Sequence, residues 1–161
     1  MSHALFAGSF DPPTVGHMDL IERASRLFRH VTVAVMINAA KTPMFTAEER
    51  VDMLKECVSR LDNVTVTAGA GLTLDLAKAV GADVLLRGIR GEGDAGMEAA
   101  LAAGNRHVGN IDTLALFTAP QYGFISSTLV RDVIRHGGRL DGLVPPCLIE
   151  RLTGQIQQRC L

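Results

Sequence analysis

The stretch Ala7-Gly8-Ser9-Phe10-Asp11-Pro12-Pro13-Thr14-Val15-Gly16-His17 concentrates groups suited to holding phosphate. Gly8 lets the backbone approach a ligand closely, and Pro12 and Pro13 stiffen the turn. Thr14 is a good N-cap for a helix starting at Val15, whose first turn offers unpaired N–H groups and the positive end of the helix dipole. His17 falls in that turn, within reach of a phosphate oxygen. Further along stand Lys41, then Arg87 and Arg90 flanking Gly88, then a second helix start at Ser126-Ser127-Thr128. None of these is a nucleophile with an attached base. The chain shows no Ser-His-Asp arrangement, no pair of catalytic carboxylates and no dense carboxylate cluster for metals. Cationic and N–H donation suits phosphoryl chemistry done by positioning and charge stabilisation. The implied chemistry is in-line displacement at a bound phosphorus. Imidazole and lysine would stabilise charge on the equatorial oxygens.

Elements that could gather these residues alternate along the chain. An apolar run at residues 3–6 reads as a buried first strand, and Ile21, Ala24, Leu27 and Phe28 give the following segment helical spacing. The β-branched run at 31–37 predicts a strand covered on both faces, parallel to the first by a right-handed crossover. The next loop carries Lys41 beyond the carboxyl end of that strand, the edge where open α/β sheets bind ligands. It ends in the capping box Thr46-Ala47-Glu48-Glu49. A short third strand is predicted at 64–67, broken by Gly69 and Gly71 before a helix opens near Leu72. A fourth strand, 84–86, runs into Arg87-Gly88-Ile89-Arg90, an arrangement able to grip two phosphates with charge-assisted forks. Residues 94–107 read as a helix weakened by Gly96 and Gly104, with Ala99, Ala100, Ala102 and Ala103 suited to close helix packing. A fifth strand follows at 112–117. Ser126 or Ser127 then caps a helix reaching Arg135, and a last amphipathic helix starts at Pro145-Pro146 with Leu148, Ile149, Leu152 and Ile156 on one face. The expected fold is α/β: a Rossmann-like open sheet of five mostly parallel strands with helices on both faces, as one domain over residues 1–161.

Composition narrows the function further. The 161 residues are 47% hydrophobic, enough for a real core, and sixteen basic against seventeen acidic side chains leave a formal charge of -1. Such a balance gives no global attraction to nucleic acid or an anionic membrane, so an anionic ligand must be held by local groups. Cys57, Cys147 and Cys160 are odd in number and lack metal-ligand spacing, which suits reduced thiols in cytosol. No apolar stretch approaches the roughly 20 residues a bilayer span needs, and a cytoplasmic location is expected. The Gly-x-Gly-x-x-Gly dinucleotide fingerprint does not follow the first strand, which disfavours a nicotinamide dehydrogenase.

Gly-Ser-Phe-Asp-Pro-x-Thr-x-Gly-His together with Ile125-Ser126-Ser127-Thr128-x-x-Arg131 resembles the two signatures of the nucleotidyltransferase superfamily. With Lys41-x-Pro43-Met44-Phe45-Thr46-x-Glu48-Glu49-Arg50, Leu86-Arg87-Gly88-Ile89-Arg90 and Asn105-Arg106-His107 added, the whole chain resembles the bacterial phosphopantetheine adenylyltransferases. That resemblance implies transfer of AMP from ATP to 4'-phosphopantetheine, giving dephospho-coenzyme A and pyrophosphate. It implies that His17 stabilises the transition state and Lys41 positions the reacting phosphates, with Ser9, Lys41, Thr73 and Arg87 on the phosphopantetheine side. ATP would be held by Ser9, Phe10, His17, Gly88, Ile89, Arg90, Glu98 and the segment Tyr122, Gly123, Phe124, Ile125, Ser126, Ser127, Thr128. It further implies Mg²⁺ as cofactor and a homohexamer. The run Asp94-Ala95-Gly96-Met97-Glu98 departs from the resemblance by lacking aromatics where that family carries them, which bears on local packing and on the subunit contact or pantetheine channel. Two other readings remain open on the residues alone: a sister adenylyl- or cytidylyltransferase with a different phosphate acceptor, and a silent nucleotide-binding module.

Overall fold

The computed structural model describes residues 3–40 and 42–159. Five strands, β1 (His3–Gly8), β2 (His30–Ile37), β3 (Val64–Ala70), β4 (Val84–Ile89) and β5 (Asp112–Phe117), form one sheet in the order β3-β2-β1-β4-β5. Every neighbouring pair is parallel. Between and after them run α1 (Val15–Leu27), α2 (Ala47–Cys57), α3 (Thr73–Val80), α4 (Glu92–Gly109), α5 (Ser127–Arg135) and α6 (Pro146–Arg159). The chain winds outward from β1 to β3, then returns to the other side of β1 as β4. The order therefore reverses between β1 and β4, and a crevice opens beyond their carboxyl ends, the place where doubly wound sheets bind ligands.

Burial follows the strand period. Ala4, Phe6, Val31, Val33, Val35, Val84 and Leu86 pack on one face against Met18, Leu20, Ile21 and Ala24 of α1 and Leu54 of α2. Leu5, Ala7, Ala34 and Leu85 point the other way, against Leu74 and Ala77 of α3. Two-sided coverage explains the near-continuous apolar run of β2. A satellite core joins Leu148 and Leu152 of α6 and Val130 and Ile134 of α5 to Phe45 and Met53, and so holds the two C-terminal helices beside α2.

Three elements differ from their sequence expectation. β3 continues through Gly69 to Ala70, because Gly69 pairs with Met36 and a Cβ there would lie 2.6 Å from Leu76 Cδ2; this glycine serves packing. β4 extends through Arg87 and Gly88 to Ile89, paired with Ala115, Leu116 and Phe117 of β5, so Arg87 springs from a strand and Arg90 from the turn after it. α4 has no buried residue. Ala99, Ala100 and Ala103 are exposed, and the close helix packing expected of its alanines does not occur among the described residues.

Candidate active site

A cavity of about 410 Å³ lies at the carboxyl ends of β1 and β4, lined among others by Gly8, Ser9, His17, Arg90, Ser126 and Arg131. The β1–α1 turn builds one wall. Thr14 caps α1 in a reciprocal box: its hydroxyl accepts from His17 N–H at 3.3 Å, and its own N–H donates to His17 Nδ1 at 3.1 Å. Histidine thus takes the place that Glu or Gln usually holds in such a box. Because Nδ1 accepts a backbone N–H, the neutral ring carries its proton on Nε2. The Phe10 ring, 2% exposed, meets the imidazole edge-on at 4.9 Å and fixes its plane. Phe10 itself has φ 48°, a region bulky residues rarely adopt, which is local strain held by the packed turn. Gly8 lies against the same ring: a Cβ there would sit 3.1 Å from Phe10 Cε2 and Cζ.

Burial, and secondly the positive charge of Arg90, push the His17 pKa down from 6.5 to about 4. At neutral pH the ring is a neutral hydrogen-bond donor. The unfolded chain takes up this proton near pH 6.5 and the folded protein only near 4, so stability falls as pH drops through that window and is complete above it. His17→Gln keeps a capping-box residue but does not titrate. Between pH 7 and 4.5 the wild type should therefore lose about 2–3 kcal/mol more stability than His17→Gln, read by urea unfolding at each pH. Parallel pH curves for the two proteins would remove this account of the ring.

The two arginines that flank Gly88 are both engaged with carboxylates. Arg87 donates from Nε and Nη2 to Glu98, each at 2.7 Å, and from Nη1 to the Ala7 carbonyl at 3.0 Å. Arg90 forks onto Asp94 at 2.9 and 3.2 Å, and this hydrogen bonding holds the Asp94 carboxyl below the usual carboxylate range. Glu98 thereby orients Arg87 on the cavity wall. Gly88 sits close against α1: a Cβ at that position would overlap the end of the Leu20 side chain, which would have to turn aside.

The opposite wall is the start of α5, capped by Ser126, whose hydroxyl accepts from Leu129 N–H at 3.1 Å. Ser127 Oγ donates to the Pro12 carbonyl at 2.9 Å and Arg131 Nη1 to the Asp11 carbonyl at 2.7 Å, which docks this helix onto the β1–α1 turn. Two helix N-termini therefore line one cavity, an arrangement made for a polyanion. Asp11, 5% exposed, accepts the Met44 and Phe45 N–H groups on its two oxygens, both at 2.9 Å. It lies 3.7 Å from the Arg131 guanidinium. Buried Arg50 donates to the Ser9 carbonyl at 2.8 Å. These ties shape a second cavity of about 490 Å³, walled by Asn38, Ala39, Thr42, Pro43 and Arg50, with Ser9 and Arg131 shared between the two.

Of the residues singled out in the sequence, Ser9, Phe10, His17, Arg87, Gly88, Arg90, Glu98 and the run from Ile125 to Thr128 come together on the first cavity. Ile89 is buried at the end of β4. Thr73 stands at the start of α3, beyond the carboxyl end of β3, in neither wall. Tyr122 packs against the satellite core, Gly123 follows in the same turn, and Phe124 is 69% exposed outside the walls. Lys41 lies outside the described residues. Asp11, Arg50, Thr118 and Arg131 also stand on the walls of the two cavities; Asp11, Arg50 and Arg131 lie inside the quoted motifs, their only signal in the sequence, and Thr118 has none. Among the described residues no group of three or more His, Cys, Asp or Glu could hold a metal ion, and no helix is long and apolar enough to cross a membrane. The wall carboxylates Asp94 and Glu98 are both bound to arginines.

Residues 5–133 match the Cytidylyltransferase-like family model. The phosphopantetheine adenylyltransferase of Limosilactobacillus fermentum is 43% identical over 160 residues, covering 99% of this chain and 92% of that one. That of Flavobacterium psychrophilum is 46% identical over 145 residues, covering 90% and 96%. Among solved structures, one from Vibrio parahaemolyticus, provisionally assigned as a nicotinate-nucleotide adenylyltransferase, aligns at TM-score 0.72 with 20% identity over 99% of this chain and 96% of its own. At that identity the likeness is one of fold.

Proposed function

The chain belongs to the phosphopantetheine adenylyltransferase family, and on that premise we propose how it moves AMP from ATP to 4'-phosphopantetheine, giving dephospho-coenzyme A and pyrophosphate. The observation that carries the reading is that the starts of α1 and α5 face one cavity, while a second cavity opens across Ser9 and Arg131. ATP takes the first cavity, its phosphates against the two helix starts. The acceptor takes the second, so the two phosphates meet at the shared wall. An oxygen of the 4'-phosphate attacks the α-phosphorus, and the bond from that phosphorus to the α–β bridging oxygen breaks as pyrophosphate departs. No covalent enzyme intermediate is needed, because nothing on the walls is an activated nucleophile. His17 donates its Nε2 proton as a hydrogen bond to a non-bridging α-phosphate oxygen, where charge gathers in the transition state. The step transfers no proton at the ring, so a neutral imidazole is the right form. Lys41 adds a positive charge to the same phosphates.

The described donor set does not form a cation cage. Mg²⁺ therefore arrives in this reading as the chelate of the triphosphate, part of the substrate. The deciding experiment is pyrophosphate release from MgATP with 4'-phosphopantetheine, nicotinamide mononucleotide or glycerol 3-phosphate offered in parallel. Release with the first alone, together with the mass of dephospho-coenzyme A, is expected. Release with another acceptor would move the function to a sister enzyme.

We further place the protein in the cytoplasm as a homohexamer. Supporting the assembly, Met97, Leu101 and Val108 of α4 and Phe117 of the edge strand β5 are 67, 53, 70 and 66% exposed. Exposed apolar side chains on a helix beside an open sheet edge form a surface that a partner covers. The double substitution Leu101→Glu with Phe117→Glu should shift the light-scattering mass to smaller species while circular dichroism stays unchanged.

A further inference from the structure

Cys57 ends α2 and Cys147 lies in the first turn of α6, 90 residues apart in the chain, and their sulfurs lie 3.5 Å from each other. The same two helices are strapped by Arg151 and Glu56 at 3.9 Å. Both cysteines line a third cavity, about 580 Å³ and distinct from the two above, beside Asp19, Glu22 and Arg60. Cys147 is exposed and Cys57 half-buried. A small oxidant can therefore reach one sulfur while the other waits within bonding reach. Neither residue touches the reacting phosphates, and the transfer makes no use of them.

We propose that Cys57 and Cys147 are a redox dithiol site which a peroxide converts to a reversible disulfide, joining α2 covalently to α6. Closing the sulfurs to about 2.05 Å needs a shift of roughly 1.5 Å, within reach of side-chain rotation at an exposed helix start. Cys147, as thiolate, attacks one peroxide oxygen; the O–O bond breaks, leaving a sulfenic acid and, after protonation, water. Cys57 sulfur then attacks the sulfenic sulfur, and its proton leaves with the displaced hydroxide as a second water. Two thiols lose two electrons and two protons, and the peroxide is reduced to two waters. Burial and the hydrogen bond with Cys147 hold Cys57 as a thiol well above its ordinary pKa, which suits a resolving partner over a first attacker. A low-molecular-weight thiol reverses the bond by exchange at the exposed sulfur.

The test treats Cys160→Ser protein, which keeps the pair, with hydrogen peroxide and then a maleimide. Intact mass should fall by about 2 Da, with both thiols protected from the maleimide, a peptide linking Cys57 to Cys147, and full return on dithiothreitol. The Tm of the oxidised form should rise by several degrees, since the bond closes a long loop. In Cys57→Ser on the same background, Cys147 should instead gain oxygen and stay unlinked. Oxygen addition at Cys147 without a link in the Cys160→Ser protein, or links only between molecules, would overturn the proposal.

Discussion

Replacing His17 by alanine is expected to lower kcat by about 10²- to 10³-fold, the scale seen when one preorganised donor to a developing oxyanion is removed. The dissociation constant for ATP should change by only a few-fold. In the proposed arrangement, ground-state binding draws on the two helix starts and on Arg90, which the substitution leaves in place. Only the transition state gathers charge where Nε2 points its proton. The substitution also removes the acceptor of the Thr14 N–H and so weakens the cap of α1 by about 1 kcal/mol. His17→Gln separates these effects. Glutamine at that helix position can accept the Thr14 N–H, so stability should return at neutral pH, yet the amide lacks the rigid ring that Phe10 holds edge-on, so the rate should stay low. Single-turnover rates and ATP titration calorimetry on both variants make the comparison. Equal losses in kcat and ATP affinity would show that His17 only binds.

What could be read in the chain followed how local each signal was. The capping box from Thr46 to Glu49 is written within four consecutive residues, and the helix starts where it says, with both reciprocal bonds formed. β5 kept its expected bounds because an apolar run between turns needs little context. Arg87 illustrates the limit. Its position at a sheet edge was legible, but its bidentate partner Glu98 comes from the next helix, eleven positions on. Read separately, the two residues look like contacts to different substrates; in the fold one orients the other. β4 ran longer than its apolar core because Gly88 and Ile89 gain partners from β5, a pairing no local window contains. The alanines of α4 suggest close packing, yet among the described residues nothing buries them. Short side chains say only that something can approach, not what.

Asp11 is where non-local information matters most, and Asp11→Asn should affect the acceptor side of the reaction above all. Its carboxylate joins three separate segments: the turn after β1, the loop at residues 42–46 through Met44 and Phe45, and α5 through Arg131. Asparagine has nearly the same shape but presents an NH₂ to one of the two backbone donors. One hydrogen bond is then lost against a facing donor, and a partly buried guanidinium loses its counter-charge, together costing about 3 kcal/mol. Loosening that loop shifts Thr42 and Pro43, which wall the second cavity. The cavity proposed for ATP keeps its capped helix starts. A reacting phosphate displaced by about 1 Å can cost on the order of 10²-fold in rate. The expected result is therefore a fall of about 10²-fold in kcat/KM for 4'-phosphopantetheine, expressed in both its KM and kcat, with the KM for ATP changed far less. A purely structural role would lower Tm and the active fraction but leave both KM values where they were. Steady-state kinetics with each substrate varied, alongside thermal unfolding of the same preparation, distinguishes the two, and unchanged acceptor KM in the folded variant would remove Asp11 from the positioning of the acceptor.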